Sequence, residues 1–492
     1  STATLGRLGR QDDRTTGRRG ARSQVGLCES WAMDDRELDP LTANTVALLQ
    51  TLIRNECVND GTAESGHETR NADVLQGVIE GPGVVVERFG PSADRMSIIG
   101  RIEGSDPNAP SLCLMGHTDV VPVNRDGWDN DPFGGELIAS PDGVDEVWGR
   151  GAVDMLNLTA SMAVAFRHLA DDAAAGRFKP TGDLIYFGVA DEEAGSAHGA
   201  RWVADNHADS MRADYVLTEN GGIHSGPAES PFISVNVAEK GVAWRRLTVR
   251  GTPGHGSTPF RGDNALVKAA GVVQRLADYR SKPRFTELWR TRVDTLGLTP
   301  EWADALLDES KIDGFLDDLP VPKLAAYLHA CTHTTFSPNL LDGGLMKTNV
   351  VPDTVVIEVD VRTLPGDGAD EVAAHLRQAL GDLADHVEVE PIMNDESSMS
   401  RTDTPLWDAL HRAINVPFPT ATLTPQMIVG FTDSRIYREM GAVAYGAGLL
   451  SPSLDSSEFG SRFHGHNERI DVESLALTTC LWDQVCRDLL AK

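Results

Sequence analysis

The stretch Ser111–Val123 reads SLCLMGHTDVVPV, and it decides the fold class. Its apolar first half ends at Gly116, as a strand buried on both faces does. His117 and Asp119 follow immediately. A strand that is apolar throughout and then turns polar is typical of α/β proteins, in which chemistry gathers beyond the carboxyl ends of the strands.

Two further apolar runs repeat the pattern, at Asp183–Ala190 and Tyr215–Thr218, and a helical pattern at about Leu156–Leu169 separates the first strand from them. Acidic residues again follow directly: Glu192 and Glu193 after the second run, Glu219 after the third. Strands that alternate with helices predict a parallel or mixed sheet covered by helices. The predicted fold class is α/β.

The pattern changes near residue 236, where segments of alternating polar and apolar residues predict strands with one buried face. We expect a small inserted α+β domain over residues 236–395, with an acidic, helical excursion at about 281–340 that decorates it. The two flanking segments, 33–235 and 396–492, then form one catalytic domain, which closes with a helix around Val472–Leu490.

Composition excludes several classes of protein. The 492 residues carry a formal charge of −29, which would repel nucleic acid and anionic membranes, so we expect neither as a partner. The sequence contains no apolar stretch long enough to cross a membrane. Residues 1–32 are rich in Arg without an apolar segment, and we expect a disordered tail, translated from upstream of a start at Met33; a transit peptide is the alternative. A cytoplasmic location is the default.

Five short motifs could carry chemistry, and each has a plain structural alternative. His117 and Asp119 could be a metal ligand and its orienting acid, or a polar pair at a strand end. Asp154 in GRGAVDM could be a ligand or a helix N-cap. The DEEAG loop could hold a cation or be a solvated acidic turn. Glu219 and the two histidines of FHGHNE (463–468) complete the set. The order of the five is more informative than any one of them.

Together these motifs resemble those of the M20 family of metallopeptidases, the group of acetylornithine deacetylase, succinyl-diaminopimelate desuccinylase and carboxypeptidase G2. The resemblance runs from about Asp39 to the C-terminus and rests on LMGHTDVVP, GRGAVDM, DEE, GHGSTP, DVRTLPG and FHGHNE. The length and the GFTDSR stretch (430–435) are most similar to the longer carboxypeptidase-S-like and N-acyl-amino-acid hydrolase members. One departure is visible, because Leu156 and Asn157 stand where the family usually has Lys followed by Gly or Ala.

The resemblance implies a phosphorylase/hydrolase-like catalytic domain with a mixed sheet, an inserted dimerisation or lid domain, and two Zn²⁺ ions, which Co²⁺ or Mn²⁺ could replace. Asp154 would bridge the ions and precede a cis peptide bond. The other implied ligands are His117 and Glu219 for one ion, and Glu193 and His464 for the second. His466 competes with His464, but the family's acid four residues after the histidine, here Glu468, selects His464.

The same resemblance implies the roles of five more residues. Asp119 would orient His117, and Glu192 would act as general base on a metal-bridged water. His255 would stabilise the oxyanion, often from the partner subunit of a homodimer formed through the inserted domain. Arg362 and Asn349 would hold the substrate carboxylate, although a strand-end ion pair and a turn are their structural alternatives.

The expected function is hydrolysis of an amide bond in a small molecule with a free carboxylate, such as a dipeptide or an N-acyl amino acid. An amidohydrolase acting on N-carbamoyl amides and a non-catalytic metal-binding homologue are the alternatives. His329 and His333 in HACTH are also four residues apart, but Ala330 stands where an HExxH motif needs Glu. We expect that pair on the surface of the excursion rather than in a metal site.

Overall fold

The computed structural model describes residues 38–140, 143–295, 298–343 and 347–491. The predicted N-terminal tail lies outside these residues. Within them the strands are β1 (Val84–Phe89), β2 (Ser97–Ile102), β3 (Leu112–His117), β4 (Glu136–Ala139), β5 (Asp145–Trp148), β6 (Leu184–Val189), β7 (Tyr215–Thr218), β8 (Gly221–Ser225), β9 (Phe232–Glu239), β10 (Gly241–Val242), β11 (Arg245–Arg250), β12 (Gly254–His255), β13 (Thr335–Asp342), β14 (Val350–Val351), β15 (Thr354–Thr363), β16 (Val387–Pro391), β17 (Ser398–Met399), β18 (Thr422–Ile428), β19 (Val443–Gly446) and β20 (Arg469–Asp471).

The α-helices in the same residues are α1 (Pro40–Arg54), α2 (Thr69–Ile79), α3 (Leu156–Ala174), α4 (Ala200–Met211), α5 (Ala265–Asp278), α6 (Glu287–Thr295), α7 (Pro300–Leu306), α8 (Ile312–Asp318), α9 (Pro322–Thr332), α10 (Ala369–Leu380), α11 (Pro405–Ile414), α12 (Ser434–Glu439), α13 (Ser456–Arg462) and α14 (Val472–Leu490). None of the described helices combines the length and the apolar character needed to span a bilayer.

The larger sheet is mixed, which confirms the predicted α/β class. Its strand order is β1-β2-β6-β3-β7-β19-β9-β17, and β8 and β18 also pair with β9. The central strand β3 runs parallel to both β6 and β7. Leu112 and Leu114 of β3 pack in one apolar cluster with α1, α3 and α14, whereas Cys113 and Met115 pack in another with α4 and α12. The continuous apolar run in the sequence therefore reflects a strand with helices on both faces.

A second sheet has its own core. Its order is β10-β15-β11-β16, with β13 also on β15, and all of these pairs are antiparallel. One face of β11 and β15 is buried against α5 and α10, which explains the alternating sequence pattern. These elements lie between the two segments that build the larger sheet. Because β9 stays in the larger sheet as far as Glu239, the predicted boundary at residue 235 falls inside a strand.

The helices of the excursion pack with the helices that cover the larger sheet. The sequence prediction that the excursion decorates the inserted domain was wrong for these helices. Its helices α6 to α9 contribute Trp289, Val293, Leu306 and Leu328 to the same apolar cluster as the helices that cover the larger sheet. Helix α6 also contacts strand β18 of the larger sheet. The prediction failed because an amphipathic helix shows that it buries one face without showing what covers that face.

Candidate metal centre and active site

The larger sheet brings the loops with the candidate functional residues together at the carboxyl ends of its central parallel strands. His117 ends β3 and lies opposite Val189, the last residue of β6, while Leu114 lies opposite Leu217 of β7. The DEEAG loop and Glu219 therefore leave the sheet at the level of His117. In α/β proteins, ligands bind beyond the carboxyl ends of the parallel strands.

A buried carboxylate fixes the turn that carries Asp154. Glu468, fully buried, accepts hydrogen bonds from the backbone N–H groups of Val153 (2.7 Å) and Asp154 (2.9 Å), and Arg150 donates to its other oxygen (2.6 Å). Burial raises the pKa of Glu468 to about 7, although Arg150 favours its ionised form. The turn also uses Gly151 at φ +88°, where a side chain would meet Leu156. The peptide bond after Asp154 is cis, as the family resemblance implied.

The five predicted metal ligands come together in two groups that share Asp154. The first is His117, Asp154 and Glu219; the second is Asp154, Glu193 and His464. Within each group the candidate ligand atoms lie within 4.8 Å of one another. The Nε2 atom of His117 is 3.3 Å from one oxygen of Asp154, and that of His464 is 3.1 Å from the other. The competing His466 is in neither group and packs over Gly127.

The electrostatics of this cluster favour a bound cation. Burial raises the pKa of Glu192 and of Glu219 well above the ordinary value. The charge of Glu219 further raises the pKa of Glu192, and the charge of Asp154 raises that of Glu219. For Asp154, burial opposes ionisation, but hydrogen bonds from His117 and His464 lower its pKa overall. One oxygen of Glu193 is buried without a hydrogen-bond partner in the described residues. Histidine nitrogens and carboxylate oxygens are the donor set that Zn²⁺ accepts, so the residues present fit such an ion.

Asp119 organises the loop on which Glu192 lies. Its carboxylate, fully buried, accepts hydrogen bonds from the backbone N–H groups of Glu192 (3.3 Å) and Glu193 (3.1 Å) and from the amide of Asn59 (2.8 Å). The Nδ1 atom of His117 lies 2.9 Å from the backbone oxygen of Asp119 and 3.5 Å from the Asp119 carboxylate. Within the described residues the carboxylate of Glu192 has no ion pair or hydrogen bond, which leaves it available to accept a proton.

Sequence reasoning missed a second layer of buried polar residues behind this loop. Arg95 forms ion pairs with Glu68 (2.7 Å) and with Asp191 (2.5 Å), and Asn59 donates to Asp191 as well as to Asp119. Asn59, Glu68 and Arg95 lie in segments without a recognisable motif, so nothing in the sequence indicated them. They hold the backbone next to Glu192 in place.

Arg362 lies on the same side as the DEEAG loop. Its guanidinium group pairs with Asp360 (2.7 Å) and lies 5.0 Å from the ring centre of Phe431, whose ring is also 4.5 Å from the guanidinium of Arg435. Arg435 in turn donates to the backbone oxygen of Gly195, two residues after Glu193. One terminal nitrogen of Arg362, Nη1, is buried without a partner in the described residues.

His255 and Asn349 lie together in an exposed part of the chain. Both are exposed, β12 pairs with β14, and the backbone oxygen of Asn349 accepts a hydrogen bond from Gly256 (2.9 Å). The His255 ring contacts Ser257 (2.7 Å). Among the described residues no hydrogen bond or ion pair joins either of them to the five candidate ligands.

The histidine pair of the HACTH motif, His329 and His333, is partly buried. The sequence prediction that this pair lies on the surface of the excursion was wrong. The rings of His329 and His333 are stacked with their centres 4.0 Å apart, and His333 is completely buried. Its Nε2 atom is 3.2 Å from Asp313. The prediction failed because this end of α9 is covered where it meets the core, and burial lowers the pKa of both rings.

Comparison with known proteins agrees with this geometry. The model of the family described as Peptidase family M20/M25/M40 matches residues 113–488. The chain belongs to this family. The predicted family is thereby confirmed, and this M20 chain is a hydrolase.

Its relatives are distant in sequence. A probable carboxypeptidase S-like 2 from Dictyostelium discoideum is 26% identical over 394 residues, which cover 77% of this chain and 71% of that protein. Aminoacylase-1 from Mus musculus is 28% identical over 373 residues, or 75% and 77% of the two chains. The solved M20 family metallo-carboxypeptidase Sso-CP2 from Sulfolobus solfataricus superposes with a TM-score of 0.67 at 17% identity, covering 92% of this chain and 99% of that one. This last likeness supports the fold.

Proposed function

We propose that this M20 chain hydrolyses the amide bond of a dipeptide or an N-acyl amino acid, using two Zn²⁺ ions and Glu192. The observation that carries the proposal is the pair of ligand groups that share Asp154. A carboxylate offers two oxygens, and here each faces a different histidine, as a bridge between two ions requires.

His117 and Glu219 would hold one ion, Glu193 and His464 the other, and Asp154 both. Bound ions of this kind polarise a scissile carbonyl and make water nucleophilic at neutral pH. The unpartnered oxygen of Glu193 and the crowding of buried acids support this assignment, because a cation would offset both costs.

Glu192 would be the general base. Its carboxylate would take a proton from the attacking water and deliver it to the nitrogen of the departing amine. The bond from the carbonyl carbon to the nitrogen breaks, and the water oxygen stays on the new carboxylate. Asp119 supports this role as a positioning residue, since it accepts the backbone N–H of Glu192.

Arg362 would bind the substrate carboxylate. Its buried and unpartnered Nη1 is a donor that lacks an acceptor, and a planar guanidinium suits a carboxylate. We further propose that His255 and Asn349 reach the metal cluster of a partner chain, because both are exposed and neither is joined by a hydrogen bond or ion pair to the described ligands of their own chain. In that position His255 would donate to the oxyanion.

The experiment is a substrate panel combined with metal removal. Dipeptides, N-acyl amino acids and N-carbamoyl amino acids that share one amino acid are assayed before and after treatment with phenanthroline, and again after Zn²⁺ is restored. We expect two ions per chain, loss of hydrolysis on chelation, and recovery. Hydrolysis that survives complete chelation contradicts the proposal, and turnover of the N-carbamoyl compounds alone favours the amidohydrolase alternative.

Two neighbouring substitutions separate the proton transfer from metal binding. Glu192→Gln should keep both ions and lose turnover by about 10²–10⁴-fold, because glutamine cannot accept the proton. Glu193→Gln, the matched control, should instead lower metal content. Equal metal loss in both variants would mean that Glu192 is a ligand rather than the base.

A further inference from the structure

A cavity of about 100 Å³ adjoins the metal cluster. Glu219, a candidate ligand, forms part of its wall, as does Val153, which immediately precedes Asp154. A group that fills this cavity would therefore lie beside the proposed metal site. We refer to it as the Asn157 cavity, after the side chain that distinguishes it.

The walls of the Asn157 cavity are mostly apolar. Apolar surface comes from Leu158, Ile223, Leu450, Phe459 and Phe463, and uncharged polar side chains come from Ser234, Gln426 and three asparagines. Glu219 is the one ionisable side chain among the described residues that line it. With metal bound at Glu219, the other described side chains of the wall offer no charge of either sign, so the cavity suits a neutral group.

Asn157 gives the cavity one specific polar feature. The residue is 4% exposed, and its Oδ1 atom is buried without a hydrogen-bond partner in the described residues. Two neighbouring amides in the wall are engaged, since Asn220 donates to Glu219 and Asn236 donates to the backbone oxygen of Asn220. An unpartnered buried acceptor is costly, so a ligand that brings a hydrogen-bond donor recovers that cost.

The size of the cavity limits the length of the group. A water molecule takes about 30 Å³, so the space corresponds to about three waters, or a chain of about three to five non-hydrogen atoms. A longer acyl chain would extend beyond the cavity. The cavity lies on the Glu219 side of the cluster, whereas Arg362 is joined through Phe431 and Arg435 to the Glu193 loop. The acyl group and the carboxylate of one substrate would thus extend to different sides.

We propose that the Asn157 cavity binds the acyl portion of the substrate, and that it selects a short, neutral acyl group bearing a hydroxyl or amide donor. This inference rests on the proposed amide hydrolysis. Asn157 is then a specificity-determining residue of this chain, at the place where the sequence departs from the usual family pattern.

The test compares acyl groups on one amino acid: lactoyl, propionyl, succinyl and octanoyl. For the wild-type holoenzyme we expect kcat/KM for the N-lactoyl compound to exceed that for N-propionyl by about 10- to 100-fold, because only the hydroxyl satisfies Asn157. The succinyl and octanoyl compounds should be poorer still. Equal values across the four acyl groups would overturn the proposal.

Asn157→Leu should lower kcat/KM for the lactoyl compound more than for the propionyl compound, and so abolish the lactoyl preference, while the metal content stays close to wild type. Asn206→Leu, an exposed asparagine of α4, is the matched control and should change neither. Should Asn157→Leu fail to fold, Phe459→Ala supplies the second variant: by enlarging the cavity it should raise the relative rate for longer acyl groups. An unchanged length preference would overturn the proposal.

Binding of lactamide and propionamide to the holoenzyme, followed by NMR titration, gives a readout that needs no turnover. We expect tighter binding of lactamide, lost in Asn157→Leu. If that preference is found but no amide is hydrolysed, the proposed function fails and the cavity assignment stands. If amides are hydrolysed in a metal-dependent way without any acyl preference, the cavity assignment fails and the proposed function stands.

Discussion

Replacing Glu468 should destabilise the Asp154 turn and weaken metal binding together. Glu468 is completely buried, and its two oxygens accept three hydrogen bonds, from Val153, Asp154 and Arg150. In Glu468→Gln the side-chain volume is nearly unchanged, but the charge-assisted bond from Arg150 is lost and an amide N–H₂ faces the guanidinium. Hydrogen bonds to charged groups contribute about 1.5–3 kcal/mol, so we expect the free energy of unfolding to fall by about 2–3 kcal/mol.

The effect on metal binding follows from the same contacts. Partners that orient ligands typically account for about 10–100-fold in metal affinity, and Glu468 holds the backbone of the proposed bridging residue. The assay is chemical denaturation of the metal-free protein at pH 8, where the carboxylate is ionised, together with competition for Zn²⁺ against a fluorescent chelator. Arg150→Met provides the second arm of a double-mutant cycle, and the combined variant should lose less than the sum of the two single losses.

Glu468→Ala would be more severe. It leaves a buried guanidinium unpaired, which alone costs about 3–5 kcal/mol, a large part of the usual stability of a domain. The glutamine variant is therefore the informative one. Unchanged stability and Zn²⁺ affinity in Glu468→Gln would refute the reasoning, because they would mean that the carboxylate does not hold the turn.

Three further predictions use other parts of the molecule. His255→Ala should lower kcat by about 10²–10³-fold without loss of metal, and mixing it with inactive Glu192→Gln chains under conditions of subunit exchange should restore activity; an unchanged kcat in His255→Ala would contradict the proposed oxyanion role. Arg362→Gln should raise KM by at least about tenfold and change kcat less, in steady-state assays; an unaltered KM would remove it from the carboxylate site. Burial lowers the pKa of Lys240 to about 7. Between about pH 7 and the pKa of this lysine in the unfolded chain, the unfolded state binds more protons, so the free energy of unfolding rises with pH by at most about 1.4 kcal/mol per pH unit. In urea unfolding at about pH 7.5–9.5, Lys240→Met should show a flatter rise than wild type, and parallel curves would contradict the assignment.

The elements nearest the site could be predicted from the sequence because their patterns are local. Tyr215–Thr218 and Val472–Leu490 have the predicted bounds, and the strand that precedes His117 differs from the prediction only at its ends. Each has a period or a stop signal within a few residues. The five candidate ligands could be named because they follow such elements directly or lie in motifs that resemble one family.

The supporting residues could not be predicted, because their partners are distant in the chain. Arg95 pairs with Asp191 across 96 positions, and Glu468 reaches Asp154 across 314. A buried arginine and a surface arginine look alike in a sequence, and only the tertiary contacts distinguish them. The burial of His333 was missed for the same reason.

The position of the excursion connects the least predictable part of the chain with the substrate. Strand β18 has two neighbouring residues with different surroundings: Gln426 lines the Asn157 cavity, and Met427 lies among residues of α6 and α9, including Trp289. Thr295 at the end of α6 also forms a hydrogen bond with Thr424 of the same strand (2.7 Å). Because packed interiors transmit small displacements, we expect substitutions in these helices to shift β18 and with it one wall of the cavity. Such variants should alter the proposed acyl preference while the candidate metal ligands stay unchanged.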